Sequence, residues 1–137
     1  MSEIDWDENL ATGVEVIDDD HQLLIKLYNE LFVAFFADAD FSDLVKSMRK
    51  LIEHTMSHFQ REEVLMQANS YPMTDAHKQE HTSLLRTALC LQEKLYSDGS
   101  GSFEFYTLSF LRSWLEEHIL AADMELAQFL LVDATTA

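Results

Sequence analysis

Six side chains in this sequence have the types and spacing of metal ligands. His77-x-x-x-His81 places two imidazoles one helical turn apart on one face, so both can reach one ion. His58-x-x-x-Glu62 does the same with a nitrogen and a carboxylate. His21 and His118 fall, like the others, on the apolar stripe of a predicted helix, where a polar side chain is costly to bury without a partner. A lone histidine on an apolar face is more often a satisfied core residue, and a lone HxxxH is weak evidence. Five such histidines have one simple common partner, a two-metal site of the kind that helical bundles build in their cores. Five imidazoles favour iron, zinc or copper over calcium or magnesium, and carboxylates can bridge two ions. Asp123 also lies near His118, but five residues on is about 140° around an ideal helix. Spacing alone does not pair these two.

The elements that must position these residues are four amphipathic helices. An irregular arm covers about residues 1–17, with Ile4 and Trp6 as possible anchors, and helices follow at about 18–37, 42–70, 74–97 and 102–131. The first helix is expected to start among Asp18, Asp19 and Asp20, where acidic groups complement the helix dipole. Its stripe runs Ile17, His21, Leu24, Tyr28, Leu31, Phe35. The second has Ser42 as N-cap candidate and the stripe Leu44, Met48, Leu51, Thr55, His58, Glu62, Leu65, and it should stop before Pro72. Thr74 is the cap candidate of the third, with His77, His81, Leu84, Ala88, Leu91 and Leu95 on its stripe. Ser97 to Ser102 reads as a loop. In the fourth, Leu108, Leu111, Leu115, His118 and Ala122 share a face. The tail from Asp133 is expected to fray.

Short connections favour an all-α, up-down-up-down bundle. In that topology most candidate ligands lie roughly 5–17 Å from the same end at 1.5 Å rise per residue. Scattered core histidines would have no reason to agree in depth.

Composition agrees with a single helical domain. The chain has 137 residues, three Gly and one Pro. Nine Lys and Arg against 25 Asp and Glu give a formal charge of −16, a surface that repels nucleic acid and anionic membranes. No stretch approaches the ~18 apolar residues of a membrane span, and the acidic N-terminus is no secretory signal. One cysteine, Cys90, excludes an internal disulfide and is read as a small apolar residue, buried or half-buried. A cytoplasmic monomer without nucleic-acid or membrane partners is the expectation.

The sequence resembles the hemerythrin family, specifically its bacterial members. The resemblance rests on Gly13-Val-Glu-Val-Ile-Asp-Asp-Asp-His21, His58-Phe-Gln-Arg-Glu-Glu-Val-Leu-Met66, Tyr71-Pro72, His77-Lys-Gln-Glu-His81 and Trp114-Leu-Glu-Glu-His118-Ile-Leu-Ala-Ala-Asp123. These stretches span nearly the whole chain in family order. The resemblance implies a non-haem di-iron centre that binds O2. His77, His81 and His118 would hold one iron and His21 and His58 the other. Glu62 and Asp123 would bridge them with an oxo or hydroxo group, leaving one position open for O2. Phe59, Trp114 and Leu115 match positions that line the O2 pocket, and they read equally well as ordinary core.

Other residues carry weaker readings. His54 is expected to be exposed or to support a ligand. Glu63, Arg61 and Lys78 read as solvated charges, and Tyr28 as core. The leading function is O2 storage, delivery or sensing. With no output domain after the last helix, a stand-alone carrier is favoured. The alternative is a di-iron enzyme acting on peroxide, nitric oxide or O2. Such oxygenases usually rely on carboxylate-rich sets with Glu-x-x-His pairs, and no such pair occurs among the candidate ligands here. A metal-free interaction module is the third reading.

Overall fold

A computed structural model describes residues 3–98 and 105–136. All regular elements among them are helical. A 3-10 turn at Glu8–Leu10 precedes α1 (Glu15–Phe36), α2 (Phe41–Ala68) and α3 (Thr74–Asp98). The last run comprises α4 (Phe105–Glu117), a π-helical segment at His118–Asp123 and α5 (Met124–Thr136), without a break. Helix α1 packs on α2, α2 on α3, α3 on α4, and α4 on α1, which closes a four-helix bundle. No helix among the described residues is long and apolar enough to cross a membrane.

Helix ends follow local hydrogen bonding more than the acidic and hydroxyl signals suggested. Helix α1 begins at Glu15, three residues before Asp18, and Val14 makes no side-chain cap. Asp18 reaches back instead. Its carboxylate accepts from the Thr12 N–H and hydroxyl, both at 2.8 Å, and from the Gly13 N–H at 3.2 Å. Gly13 sits at φ +88°, and a Cβ there would meet Leu131 Cδ1 at 3.1 Å. Only glycine suits that turn.

Ser42 does not cap α2. Phe41 is already helical, and the capping position belongs to Asp40, whose carbonyl accepts from the Asp43 and Leu44 amides. Thr74 likewise is helical itself, and its hydroxyl donates to the Tyr71 carbonyl at 2.6 Å. Helix α2 ends at Ala68, before Pro72 can act. Ser70 takes φ +52°, the Tyr71 N–H donates to the Met66 carbonyl, and the Ser70 N–H to the Gln67 carbonyl. This is a Schellman closure, with Tyr71 and Met66 in the same apolar cluster. Ser97 and Asp98, expected in a loop, extend α3, while residues 99–102 of that loop lie outside the described residues. Helix α5 continues through most of the expected tail.

The arm is anchored at Ile4, which is buried. Its N–H donates to Asn29 Oδ1 and its carbonyl accepts from Asn29 Nδ2, both at 2.8 Å. Trp6 packs, partly buried, against the main core.

The core is divided. A large apolar cluster includes Leu24 and Leu31 of α1, Met48 and Phe59 of α2, Leu91 of α3, and Leu108 and Leu115 of α4. A smaller one joins Ile17, Met66, Tyr71, Leu126 and Ala127 at the other end. In every helix the buried histidines and carboxylates fall between the two clusters: His21, His58 and Glu62, His77 and His81, His118 and Asp123. The bundle thus carries one buried polar layer between two apolar ones.

Candidate metal centre

Each helix contributes to the polar layer at its own register. His58 and Glu62, and His77 and His81, are one α-turn apart and face inward together, as their spacing predicts. On the last run an α-helical period from His118 would turn Ala122 inward. The structure turns Asp123 inward instead, buried completely, with Ala122 only half-buried. The cause is the π-helical winding of His118–Asp123, in which residues five apart lie one above the other. The five-residue spacing that failed as an α-helical pair is a pair in this winding.

The seven residues form two overlapping groups, Glu62, His77, His81, His118 and Asp123, and His21, His58, Glu62 and Asp123. Within each, ligand-type atoms lie within 4.8 Å of one another, and all are buried. Both carboxylates divide their oxygens. Glu62 Oε1 lies 3.2 Å from His77 Nε2 and 3.0 Å from His81 Nε2, while Oε2 lies 3.4 Å from His58 Nε2. Asp123 Oδ1 lies 3.1 Å from His77 Nε2 and 2.9 Å from His118 Nε2. Its Oδ2 lies 2.6 Å from His21 Nε2 and 3.0 Å from His58 Nε2. Each carboxylate turns one oxygen toward the group of His77, His81 and His118 and the other toward the group of His21 and His58.

This layer is not satisfied by hydrogen bonds alone. Among the described residues, Glu62 Oε2, Asp123 Oδ1 and His118 Nε2 are buried without a hydrogen-bond partner, although His118 Nε2 and Asp123 Oδ1 are close. Leaving such atoms unpaired is costly, so the layer is built for a group that accepts several lone pairs at once, a cation. The electrostatics agree. Burial alone would lower the pKa of His58, but hydrogen bonds to Asp123 and Asp20 outweigh it and lift it to about 9. His77 also reaches about 9, where burial is outweighed by Asp123 and Glu62, and His118 is raised for similar reasons. Burial and the Asp123 charge push Glu62 upward, yet bonds from His118, His77 and His81 bring it down to about 2. Asp123 is held well below the usual range despite its burial, chiefly by the charge of His118. The field of the layer favours positive charge.

The outward ring nitrogens bring in residues that sequence reading passed over. His58 Nδ1 lies 3.0 Å from Asp20 Oδ2, and His81 Nδ1 lies 3.0 Å from Glu63 Oε2. His118 Nδ1 is 3.7 Å from Glu80. Glu63 is therefore not merely solvated, and Arg61 is not a free surface charge, since it grips Asp20 through Nε at 2.8 Å and Nη2 at 2.6 Å. These contacts cross between helices, so no spacing along one helix signals them. His54, Lys78 and Cys90 are exposed, which corrects the buried reading of Cys90. Tyr28 is core, its hydroxyl 3.5 Å from the Leu108 carbonyl.

Phe59, Trp114 and Leu115 are buried in the large apolar cluster. Phe59 stacks on His81 with ring centroids 3.8 Å apart and planes 7° from parallel, and it meets Trp114 edge-on at 6.3 Å. Ile119, beside His118, is buried with them and was not singled out by the sequence.

A bundle with a buried layer of five imidazoles and two shared carboxylates is a cation-binding helical protein. Comparison with known proteins agrees: the hemerythrin HHE cation binding domain matches residues 12–130. The chain belongs to the hemerythrin family. It is 30% identical to a bacteriohemerythrin of Stenotrophomonas maltophilia over 127 residues, 93% of this chain and 81% of that protein. A bacteriohemerythrin of Methylococcus capsulatus is 33% identical over 113 residues, 82% of this chain and 85% of that protein. A crystal structure of a leucine-to-tyrosine mutant of hemerythrin has a TM-score of 0.86 at 29% identity, covering 95% of this chain and 98% of that one.

Proposed function

We propose that this chain holds two iron ions in the polar layer and binds O2 reversibly there, for storage, delivery or sensing. The observation that supports this best is the division of Glu62 and Asp123, each with one oxygen toward the His77, His81 and His118 group and the other toward the His21 and His58 group. His77, His81 and His118 would hold one ion, His21 and His58 the other. Glu62 and Asp123 would bridge them together with an oxo or hydroxo group. A mixed nitrogen and carboxylate set suits a borderline transition metal. When bound in the ferrous state, the pair supplies the electrons that O2 uptake draws on.

The protein's part is positioning and exclusion. The three-to-two division of imidazoles leaves the His21 and His58 side with fewer donors, which is where a small ligand would find room. Phe59, Trp114 and Leu115 place apolar surface over the layer and keep water and protons from it. The nitrogen-rich donor set favours reversible binding over O–O cleavage, so the chain is read as a binder and not an enzyme.

The test is an anaerobic reduction of the iron-loaded chain, then exposure to O2, then its removal, followed by visible absorption. The expected result is a band that appears with O2 and disappears without it, at two irons per chain by elemental analysis. An iron content near zero, or an O2 response that never reverses, overturns the reading. Steady-state consumption of O2 or peroxide would move the protein to the enzymes.

A further inference from the structure

We propose that Asp20, clamped by Arg61, is a positioning residue that fixes His58 for metal binding and sets the affinity of the two-histidine half separately from the other half. The proposal rests on the two-metal reading above. Asp20 and Arg61 lie outside the seven residues that face the metals, and both act from the outer side of the layer.

Asp20 makes three contacts with two side chains. Its Oδ1 accepts from Arg61 Nη2 at 2.6 Å, and its Oδ2 accepts from Arg61 Nε at 2.8 Å and faces His58 Nδ1 at 3.0 Å. A planar guanidinium bound through two nitrogens to both oxygens removes the rotational freedom of the carboxylate. The His58 side chain is fully buried and that of Asp20 is 12% exposed, so water competes little for the ring hydrogen bond.

The consequence for His58 follows from its two nitrogens. An ionised carboxylate only accepts, so Nδ1 carries the proton and donates it. When the ring gives up its second proton for a metal, Nε2, 3.0 Å from Asp123 Oδ2 and 3.4 Å from Glu62 Oε2, is the nitrogen that presents a lone pair to the layer. That is the tautomer a metal requires, and the hydrogen bond also makes the ring a stronger donor. His21, the other imidazole of this half, has no hydrogen-bond partner at Nδ1 among the described residues. Asp20 thus orients the one imidazole of the pair that is held from outside, and it adjoins His21 on α1. The three-histidine half has its own outer carboxylate, Glu63, on His81. Loss of Asp20 should be felt on one side only.

The experiment uses the full-length chain as wild type, Asp20→Ala, Asp20→Asn and Arg61→Met. Each is titrated anaerobically with cobalt(II) against a competing chelator, which gives two dissociation constants. The zinc-loaded forms, with nitrogen-15-labelled histidine, report the Nδ1–H resonances by NMR. Removing such an outer partner typically costs 10–100-fold in metal affinity. We expect Asp20→Ala to weaken one of the two metals by about that factor, to lose the His58 Nδ1–H resonance, and to leave the other metal and the His81 resonance unchanged. Asp20→Asn keeps an acceptor of the same shape and should recover most of the affinity. Arg61→Met should weaken the same metal, and an unchanged affinity there would strike Arg61 from the proposal. Wild-type affinity for both metals in Asp20→Ala, or equal weakening of both in Asp20→Asn, would overturn it. A wild-type chain that takes up fewer than two metals would remove the two-metal reading itself, whatever the variants do.

Discussion

His118 Nε2 and Asp123 Oδ1 lie 2.9 Å apart although five residues separate them. Regular α-helical winding would turn them about 140° from each other. The π-helical segment His118–Asp123 brings them onto one face, and it does so at the level where α1, α2 and α3 present their own polar residues.

The first prediction concerns this winding. Moving the carboxylate back one position, by Ala122→Asp with Asp123→Ala, creates the i,i+4 pair that an ordinary α-helix would need. Because position 122 is only half-turned inward, metal content should fall as far as in Asp123→Ala alone. Recovery of two metals in the double variant, measured by elemental analysis, would show that the winding does not set the site.

The second prediction concerns pH, and the metal-free and metal-loaded forms should respond differently. In the metal-free chain His58 and His77 are raised from 6.5 to about 9. Their pairs with carboxylates contribute fully below pH 6.5, and that contribution is lost as pH rises through about 9. Glu62 is lowered from 4.5 to about 2, so its contribution is present above pH 4.5 and lost as pH falls through about 2. The metal-free chain should therefore be most stable between about pH 4.5 and 6.5. Metal must displace the imidazole protons, so its added stabilisation should grow as pH rises from that window toward 9. Thermal melts of both forms across this range check it. A metal increment that grows on acidification would contradict the prediction.

The third prediction separates two neighbouring histidines. His54 and His58 are one turn apart, yet His54 is exposed and His58 is buried in the layer with both carboxylates within 3.4 Å. His58→Ala should reduce iron content or abolish the O2 response, and His54→Ala should leave both near wild type. Equal losses in the two variants would make His54 essential to the centre.

The fourth prediction tests the apolar cover. Leu115 is 2% exposed and precedes His118 by one turn. Leu115→Ala removes apolar volume without removing a ligand, so iron content should hold while the O2-dependent band decays to the oxidised state faster. Trp114→Ala should act alike with a larger stability loss, since truncating a buried Trp costs about 3–5 kcal/mol. Stopped-flow mixing followed by slow absorption decay measures the effect. A Leu115→Ala protein with two irons and an unchanged decay would make Leu115 plain core.

Much of this molecule was determined by local rules acting along the chain. Apolar spacing fixed the four helix faces, because burial rewards a stripe of period 3.6 wherever it occurs. The same stripes carried His21, His58, Glu62, His77, His81 and His118, so their inward direction and common depth could be read before any packing was known. Tertiary structure decided what no single helix encodes. It wound His118–Asp123 as a π-turn, whose i,i+5 pairing has no signature in α-helical periodicity. It set Asp20 against His58 and Arg61, and Glu63 against His81, contacts between helices in which Arg61 and Glu63 read on their own helix as solvated charges and Asp20 as a helix-start residue. It also started α1 at Glu15, which leaves Asp18 in the first turn and in reach of Thr12 and Gly13 of the turn before it. Periodicity follows from each helix needing one buried side, and that is local. Which carboxylate meets which imidazole depends on how four helices settle against one another, and only the assembled bundle fixes it.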